Sequence, residues 1–440
     1  MKQKSKVLVL GAGLVAGPLV RYLAKQGYEV TVASRTVSKA EALVEGLETA
    51  NAIGADITHS GTLQKLIPEH DLAISLVPHT HHIIVAEVCL EAERHMLTTS
   101  YIKPEIAAME EKVQAAGLTF LNEIGLDPGI DHMSAMQVID RVKSQGGKVV
   151  GFSSNCGGLP APEAADNPLG YKLSWSPRGV VLAARNNGRY LENGKIVDVN
   201  WRDLFAQHWP MTVEGLGDFE FYTNRDCLGY VDLYGLQGVK DMFRGTIRNL
   251  GWCALWKRIV DLGYLDLDER EGLDRMTYAQ LTASMIGGRG AGLTESLASF
   301  LRVGIDDEII KKMQWLGLLS EQRIPQGTRT QMDALVALMM GKLDYKPGER
   351  DMIILQHRFT TRYDDREEVI LSTLVDYGIP NGDSSMSRTV GLPAAIGADL
   401  ILQGKIEKRG VLAPTSKQIY EPVLAKLDEQ GIRFEEKALN

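Results

Sequence analysis

Up to about residue 125 the apolar positions fall into short runs separated by stretches of helical spacing. Residues 7–10, all branched or long apolar side chains, read as a buried strand, and "YEVTVASR", "ANAIGADI", "DLAISLVP", "RHMLTTSY" and "LTFLNEIG" read as further strands. Helices such as 83–93 and 104–116 lie between them. Strand and helix in alternation predict an α/β unit with a doubly wound parallel sheet. After Gly146 the pattern changes. "KVVGFSSNC", "DFEFYTN", "DMIILQHRFTTRY" and "EEVILSTLVDYG" are strands of a second, mixed sheet, the last two joined at Asp364 and Asp365 as a hairpin. Residues 239–343 are mostly helical with no clear strand, so they read as an inserted helical lobe. Helices over 384–402 and 417–430 are expected to return to the first sheet, which needs helices on both faces.

The expected organisation is therefore a Rossmann-like domain from 1–128 and about 384–440, a mixed α+β substrate and dimerisation domain from about 129–238 and 344–383, and a lobe over 239–343. The first strand runs into "GAGLVAGP", where Gly11, Gly13 and Ala16 stand at GxGxxA spacing ahead of a helix. Gly11 allows the tight turn, Gly13 lets backbone approach a pyrophosphate at the helix N-terminus, and Ala16 lets helix pack on strand. At the end of the second strand, where NAD sites place an acid, stand Ala33, Ser34 and Arg35. A hydroxyl and a guanidinium donate to a 2′-phosphate that a carboxylate would repel, and Thr36 offers another donor, so the pattern selects NADP. The alternative use of Arg35 is to open the next helix in solvent.

Composition narrows the classes. The 440 residues are 44% hydrophobic, enough for two or three domains, and no apolar run is long enough to span a membrane. A net charge of −8 gives no basic footprint for nucleic acid. The four cysteines show neither CxxC nor metal spacing, and a strand begins almost at once, leaving no room for a targeting segment, so the cytoplasm is the expected compartment. His79, His81 and His82 in "PHTHH" invite a metal, but neighbours 81 and 82 point apart and no acid or cysteine completes a set, so no metal is expected.

The motifs "GAGLVAGP", "ASRT", "SLVP", "TTSY", "GLDPGIDH", "CGGLPAPE", "NPLGYKLSWS", "RGTIRNLGW", "ERDMIILQH" and "RGVLAP" occur in this order along the whole chain. In them the chain resembles the saccharopine dehydrogenase family, and within it the NADP-dependent, L-glutamate-forming branch. The resemblance implies a reversible condensation of L-2-aminoadipate 6-semialdehyde with L-glutamate to L-saccharopine, consuming NADPH, in a homodimer with a helical lobe. Two other readings stay open: a related reductase forming a different secondary amine, as carboxynorspermidine dehydrogenase does, and a noncatalytic NADP-sensing protein.

The cofactor set expected on this basis is Gly11, Ala12, Gly13, Leu14, Val15, Ala16, Ser34, Arg35, Thr36, Asp56, Ile57, Val77, Pro78, Thr99, Ser100, Asp127, Pro128 and Gly129. Saccharopine carries three carboxylates and two amines, so its site needs fixed donors, and a planar guanidinium suits a carboxylate. The resemblance places Arg225, Arg244, Thr246 and Arg248 near substrate, with Ser100, Tyr101, Asp127 and Cys156. Arg244 and Arg248 share a face if their segment is helical, and the alternative is a solvated stripe. Asp127 is either an amine partner or a turn acid before Pro128. Tyr101, Asp127 and Cys156 are the candidate catalytic groups, and the residues do not single out one acid or base.

Overall fold

The computed structural model describes residues 4–288 and 292–439, and the chain divides into two compact units, 1–149 with 361–440 and 150–360. In the first unit β1 (Lys6–Leu10), β2 (Glu29–Ser34), β3 (Ala50–Gly54), β4 (Leu72–Ser75), β5 (His95–Thr98) and β6 (Thr119–Leu121) share a sheet with the strand Gly410–Leu412. Its order is Gly410–Leu412, β6, β5, β4, β1, β2, β3, and every neighbouring pair is parallel. The central strands β1 and β4 are buried over nearly their whole length, which is why they read as unbroken apolar runs rather than alternating ones. Strand order reverses between β1 and β4, where sheets of this kind bind ligands at the carboxyl ends.

The C-terminal segment completes this unit. Helix Ser385–Leu402 packs on helix Ala16–Lys25, and helix Lys417–Glu429 packs on helix Ile130–Ser144. The Tyr420 hydroxyl donates to Asp140 Oδ2 at 2.7 Å across the second pair. Helix Ile130–Ser144 thus lies in the first unit, beyond the boundary expected at residue 128, because its partner surface is there. The strands Glu367–Tyr377 and Phe434–Leu439 pair antiparallel in the same unit, and the turn at Asp364 and Asp365 is closed by Tyr363 N–H donating to Arg366 O at 2.8 Å.

The second unit contains β7 (Lys148–Pro160), β8 (Gly188–Glu192), β9 (Lys195–Val199), β10 (His208–Val213), β11 (Gly217–Thr223), β12 (Asp241–Asn249) and β13 (Asp351–Arg362). The path is β10, β11, β12, β7, β13, with β8 beside β12 and β9 beside β8. β12 corrects the expectation of a mostly helical stretch with no strand from 239 to 343. It runs parallel to β7 and antiparallel to β11 in the middle of the sheet. Its alternation escapes a hydropathy reading because Arg244 and Arg248 occupy buried positions that normally carry apolar side chains. They share a face through the two-residue period of a strand, not through a helical turn. Helices Trp252–Asp261, Tyr278–Met285, Leu293–Leu301, Glu308–Leu316 and Gln331–Met339 follow.

Helix Ser385–Leu402 approaches the first helix of the chain closely enough that a Cβ at Gly391 would stand 2.6 Å from Val15 O. Alanine normally stabilises a helix interior by about 1 kcal/mol over glycine, but here the obstacle is backbone, and overpacking costs about 1–3 kcal/mol. Gly391→Ala is therefore expected to lower the urea unfolding midpoint, and an unchanged or higher midpoint would show that the two helices separate freely.

Candidate functional site

Because all strands of the first sheet are parallel, the turns after β1, β2, β4, β5 and β6 lie along one edge. After β1, Gly11 takes φ of +114°, and its Cβ would meet Leu76 O at 3.0 Å, so only glycine fits. Ala12, Gly13, Leu14 and Val15 carry the chain to helix Ala16–Lys25, whose first turn has no acidic residue and no side-chain cap. Ala16 N–H donates back to Gly13 O at 3.2 Å and Pro18 has no N–H, so the anion-facing donors of this end are the Gly17 N–H and those of the glycine turn. A Cβ at Gly13 would meet no protein atom within 4 Å, so that position faces open space, while Ala16 is buried. After β2, Thr36 N–H donates to Ser34 Oγ at 3.3 Å. Arg35 is exposed and makes no hydrogen bond or ion pair among the described residues. This turn has donors and no carboxylate of its own, which fits a phosphorylated ribose. Asp56 turns inward on its own loop, accepting from Thr58 N–H at 2.9 Å and Thr58 Oγ1 at 2.7 Å. Those bonds hold its carboxyl below the usual range. Ile57 follows it half-buried, and Val77 and Pro78 follow β4 on the ligand edge.

Thr99, Ser100 and Tyr101 leave the end of β5, and the segment after β6 reaches Asp127, Pro128 and Gly129. Tyr101 donates its hydroxyl to Asp127 Oδ1 at 2.9 Å, so the two candidate catalytic groups of this unit are in direct contact. The Asp127–Pro128 peptide is cis, and Gly129, at φ of +146°, lies so near Gly125 that no side chain fits. A Cβ on Gly125 would in turn meet Thr99 and Pro128 O at 3.1 Å, so this loop is tightly packed.

The second unit gathers Cys156, Arg244, Thr246 and Arg248. Thr246 stands opposite Cys156 on β7 and Tyr222 on β11, so these side chains share the face that carries both arginines. Arg244 is 2% exposed with its guanidinium 4.5 Å from the Tyr230 ring centre. Arg248 is 6% exposed, 5.1 Å from the ring of Tyr171 and 5.4 Å from that of Trp252. Arg248 donates to Ile247 O at 2.8 Å and forms no ion pair among the described residues, while its Nε lacks a hydrogen-bond partner. Burial pushes the Tyr222 phenol up to about 12, so it stays protonated beside this cation. The solvated-stripe alternative for the two arginines is excluded by their burial. Arg225 differs: it is exposed in the turn after β11, at φ of +59°.

Residues 7–121 match the saccharopine dehydrogenase NADP binding domain and residues 125–432 the saccharopine dehydrogenase C-terminal domain. The chain belongs to the saccharopine dehydrogenase family. Its relatives include the saccharopine dehydrogenase (NADP+, L-glutamate-forming) of Schizosaccharomyces pombe, 39% identical with 99% of each chain covered. The Saccharomyces cerevisiae enzyme of the same name is 40% identical over 98% of this chain and 99% of its own. The solved apo structure of the histidine-tagged, L-Glu-forming saccharopine dehydrogenase from Saccharomyces cerevisiae superposes with a TM-score of 0.89 at 39% identity, covering 99% of this chain and all of that one.

In this saccharopine dehydrogenase family chain, two buried side chains to which the sequence assigned no site role lie behind the Ser100–Tyr101 segment. His82 of the "PHTHH" cluster is turned inward between Ser75 and Ser100 rather than toward His79 and His81. Among the described residues no group of three His, Cys, Asp or Glu side chains is placed to hold a metal ion. Glu123, at φ of +56°, brackets the segment from the other side. Its N–H donates to Ser100 O at 3.1 Å, and its Oε1 accepts from Ile102 N–H at 2.8 Å. Its Oε2 lies 2.8 Å from His132 Nε2, on the helix that follows Gly129. One carboxylate therefore ties together the two segments that carry Tyr101 and Asp127. The signal for Glu123 lay in its own motif, "NEIGLDPGIDH", where attention fell on the aspartate.

Glu123→Ala leaves the half-buried Ile102 N–H without its acceptor, a loss of about 1 kcal/mol. Glu123→Gln keeps an acceptor oxygen and is expected to recover part of that loss. Urea unfolding of the two variants measures this directly, and equal midpoints for both and for the parent chain would remove Glu123 as a clamp.

Proposed function

We propose that this chain is the NADP-dependent oxidoreductase that interconverts L-saccharopine with L-glutamate and L-2-aminoadipate 6-semialdehyde. The observation that carries the reading is the full-length likeness to proteins of that name at 39–40% identity. The residues support it. The first unit offers an uncapped helix N-terminus and a turn of donors for a phosphorylated dinucleotide, held by Gly11 to Ala16 and by Ser34, Arg35 and Thr36. When bound, NADP takes up or returns the hydride at the carbon beside the secondary amine. Asp56, Ile57, Val77, Pro78, Thr99 and the Asp127–Gly129 loop complete the assigned cofactor contacts.

In the oxidative direction saccharopine loses a hydride and the secondary-amine proton to give an imine, and water adds to release glutamate and the semialdehyde. The chain's part is to hold carboxylates and to move protons. Arg248 and Arg244 are assigned to substrate carboxylates, with Thr246 between them and Arg225 as a third cation. Asp127, already accepting from Tyr101 at 2.9 Å, is assigned to the amine, where the pair can hold or pass on its proton. Cys156 stands as a second candidate beside Thr246, since imine reduction needs proton transfer and no thioester. A homodimer belongs to the same reading through the family resemblance, and a cytoplasmic location through the cysteine usage. Sedimentation and cell fractionation test those two points. Among the described residues no helix is long and apolar enough to cross a membrane.

A nicotinamide-absorbance assay decides the substrate. Glutamate with the semialdehyde is expected to consume NADPH, while diaminopropane with aspartate semialdehyde is not, and the reverse result would move the chain to the other amine-forming reaction. Cofactor binding with no turnover on either pair would leave a sensor.

Two variants test the cofactor assignment. Arg35→Asp is expected to weaken NADPH by about 10–100-fold and NADH far less, the size of one charged hydrogen bond. Gly13→Ala adds a methyl group where no protein atom lies within 4 Å, so it is expected to weaken NADPH with no change in melting temperature. Equal losses of both cofactors in Arg35→Asp would sink the 2′-phosphate role.

A further inference from the structure

We infer that His82 is a positioning residue that fixes the Ser100 hydroxyl as a hydrogen-bond donor at the ligand edge of the first sheet. Ser75 is fully buried, and its Oγ lies 2.8 Å from His82 Nδ1, the one hydrogen-bond partner that oxygen has among the described residues. A buried hydroxyl must place its hydrogen somewhere, so Ser75 donates and Nδ1 accepts. The proton of the neutral imidazole then sits on Nε2. Nε2 lies 2.8 Å from Ser100 Oγ and 3.3 Å from Thr98 Oγ1.

Thr98 supports the same tautomer independently. Its hydroxyl hydrogen goes to Ser75 O at 2.9 Å, so toward His82 it presents a lone pair, which attracts Nε2 only if Nε2 carries hydrogen. Thr98 Oγ1 also accepts from Ser100 N–H at 3.3 Å, which holds the Ser100 backbone in place. Ser100 Oγ therefore accepts from His82, and its own hydrogen finds no acceptor among the described residues. Ser100 is half-buried just past the carboxyl end of β5, so that hydrogen is left for a ligand. Burial pushes His82 down to about 4, with His79, Lys103 and His81 acting in the same direction, so the imidazole is neutral near pH 7.

The consequence is a choice of ligand chemistry. With this polarity Ser100 offers its hydrogen to an acceptor oxygen, such as a carboxylate of the amino-acid substrate or an oxygen of the cofactor. The inference rests on the proposed placement of Ser100 at the site.

The test has a spectroscopic arm and a functional arm. In protein labelled with 15N-histidine, His82 is expected to show a protonated Nε2 and an unprotonated Nδ1 at pH 7, and a protonated Nδ1 would overturn the inference. This arm needs neither ligand nor turnover, so it stands apart from any failure of the substrate assignment. For function, His82→Leu removes the donor, and His82→Gln returns an amide N–H near the place of Nε2. His82→Leu and Ser100→Ala are each expected to lose about 10-fold in kcat/KM, with His82→Gln recovering most of the loss. The double variant His82→Leu/Ser100→Ala is expected to be no worse than Ser100→Ala, because both remove one donor. Multiplying losses, or no rescue by glutamine, would show that His82 acts through packing alone and would overturn the role. Direct NADPH titration then tells the source of the oxygen: a weaker NADPH dissociation constant in Ser100→Ala means the cofactor, and a raised KM for glutamate with unchanged NADPH binding means the substrate. Neither moving would overturn the inference.

Discussion

Parallel pairing is the constraint on which the nucleotide-binding unit depends. In a parallel sheet every strand ends at the same edge, so residues far apart in sequence are delivered side by side by the paired strands that carry them. Gly11 follows β1, Ser34 closes β2, Val77 follows β4, Ser100 follows β5 and Asp127 lies beyond β6. The edge alone fixes positions only to within a turn. What sharpens them is a set of buried polar bonds behind it: Ser75 to His82 to Ser100 on one side, and Glu123 to Ile102 and His132 on the other. The Ser75, His82, Glu123 and His132 side chains are buried, where an unmet hydrogen bond costs more than a met one contributes, so the arrangement has little freedom to relax.

That division explains what was legible in the amino-acid sequence. Periodicity and turn chemistry are local, and from them the first sheet, its glycine turn, and the serine and arginine after β2 could be read. The family resemblance carried the rest of the candidate site. His82 and Glu123 were not legible, because a buried polar residue is explained by its partners, and Ser100 and His132 are 18 and 9 residues away from them. A histidine within a cluster at a helix start, and a glutamate inside a motif with more conspicuous aspartates, do not show from sequence alone which of them turns inward. β12 was misread for a different reason. Arginines four residues apart lie on one face in a helix and in a strand alike, and hydropathy gave them to solvent.

Burial of those arginines has an energetic meaning that a comparison within the same unit brings out. Lys172 is as deeply buried as Arg244, yet its ammonium lies 2.6 Å from Glu349 and 2.8 Å from Asp166, so the chain itself supplies the anions. Lys172 is accordingly read as structural. Arg248 has no such arrangement. Its register partner Glu220 directs Oε1 to the Cys253 N–H at 2.6 Å and forms no ion pair with it, and the arginine's other near neighbours are aromatic faces. Aromatic faces stabilise a desolvated cation by a few kcal/mol at most, less than an ion loses on leaving water. A guanidinium held in that state is what the proposed carboxylate-binding role of Arg248 requires. Within the proposed substrate assignment the same reasoning sets Arg248 above Arg225: an anion at exposed Arg225 gains about what a surface pair gains, whereas an anion reaching buried Arg248 offsets part of its desolvation.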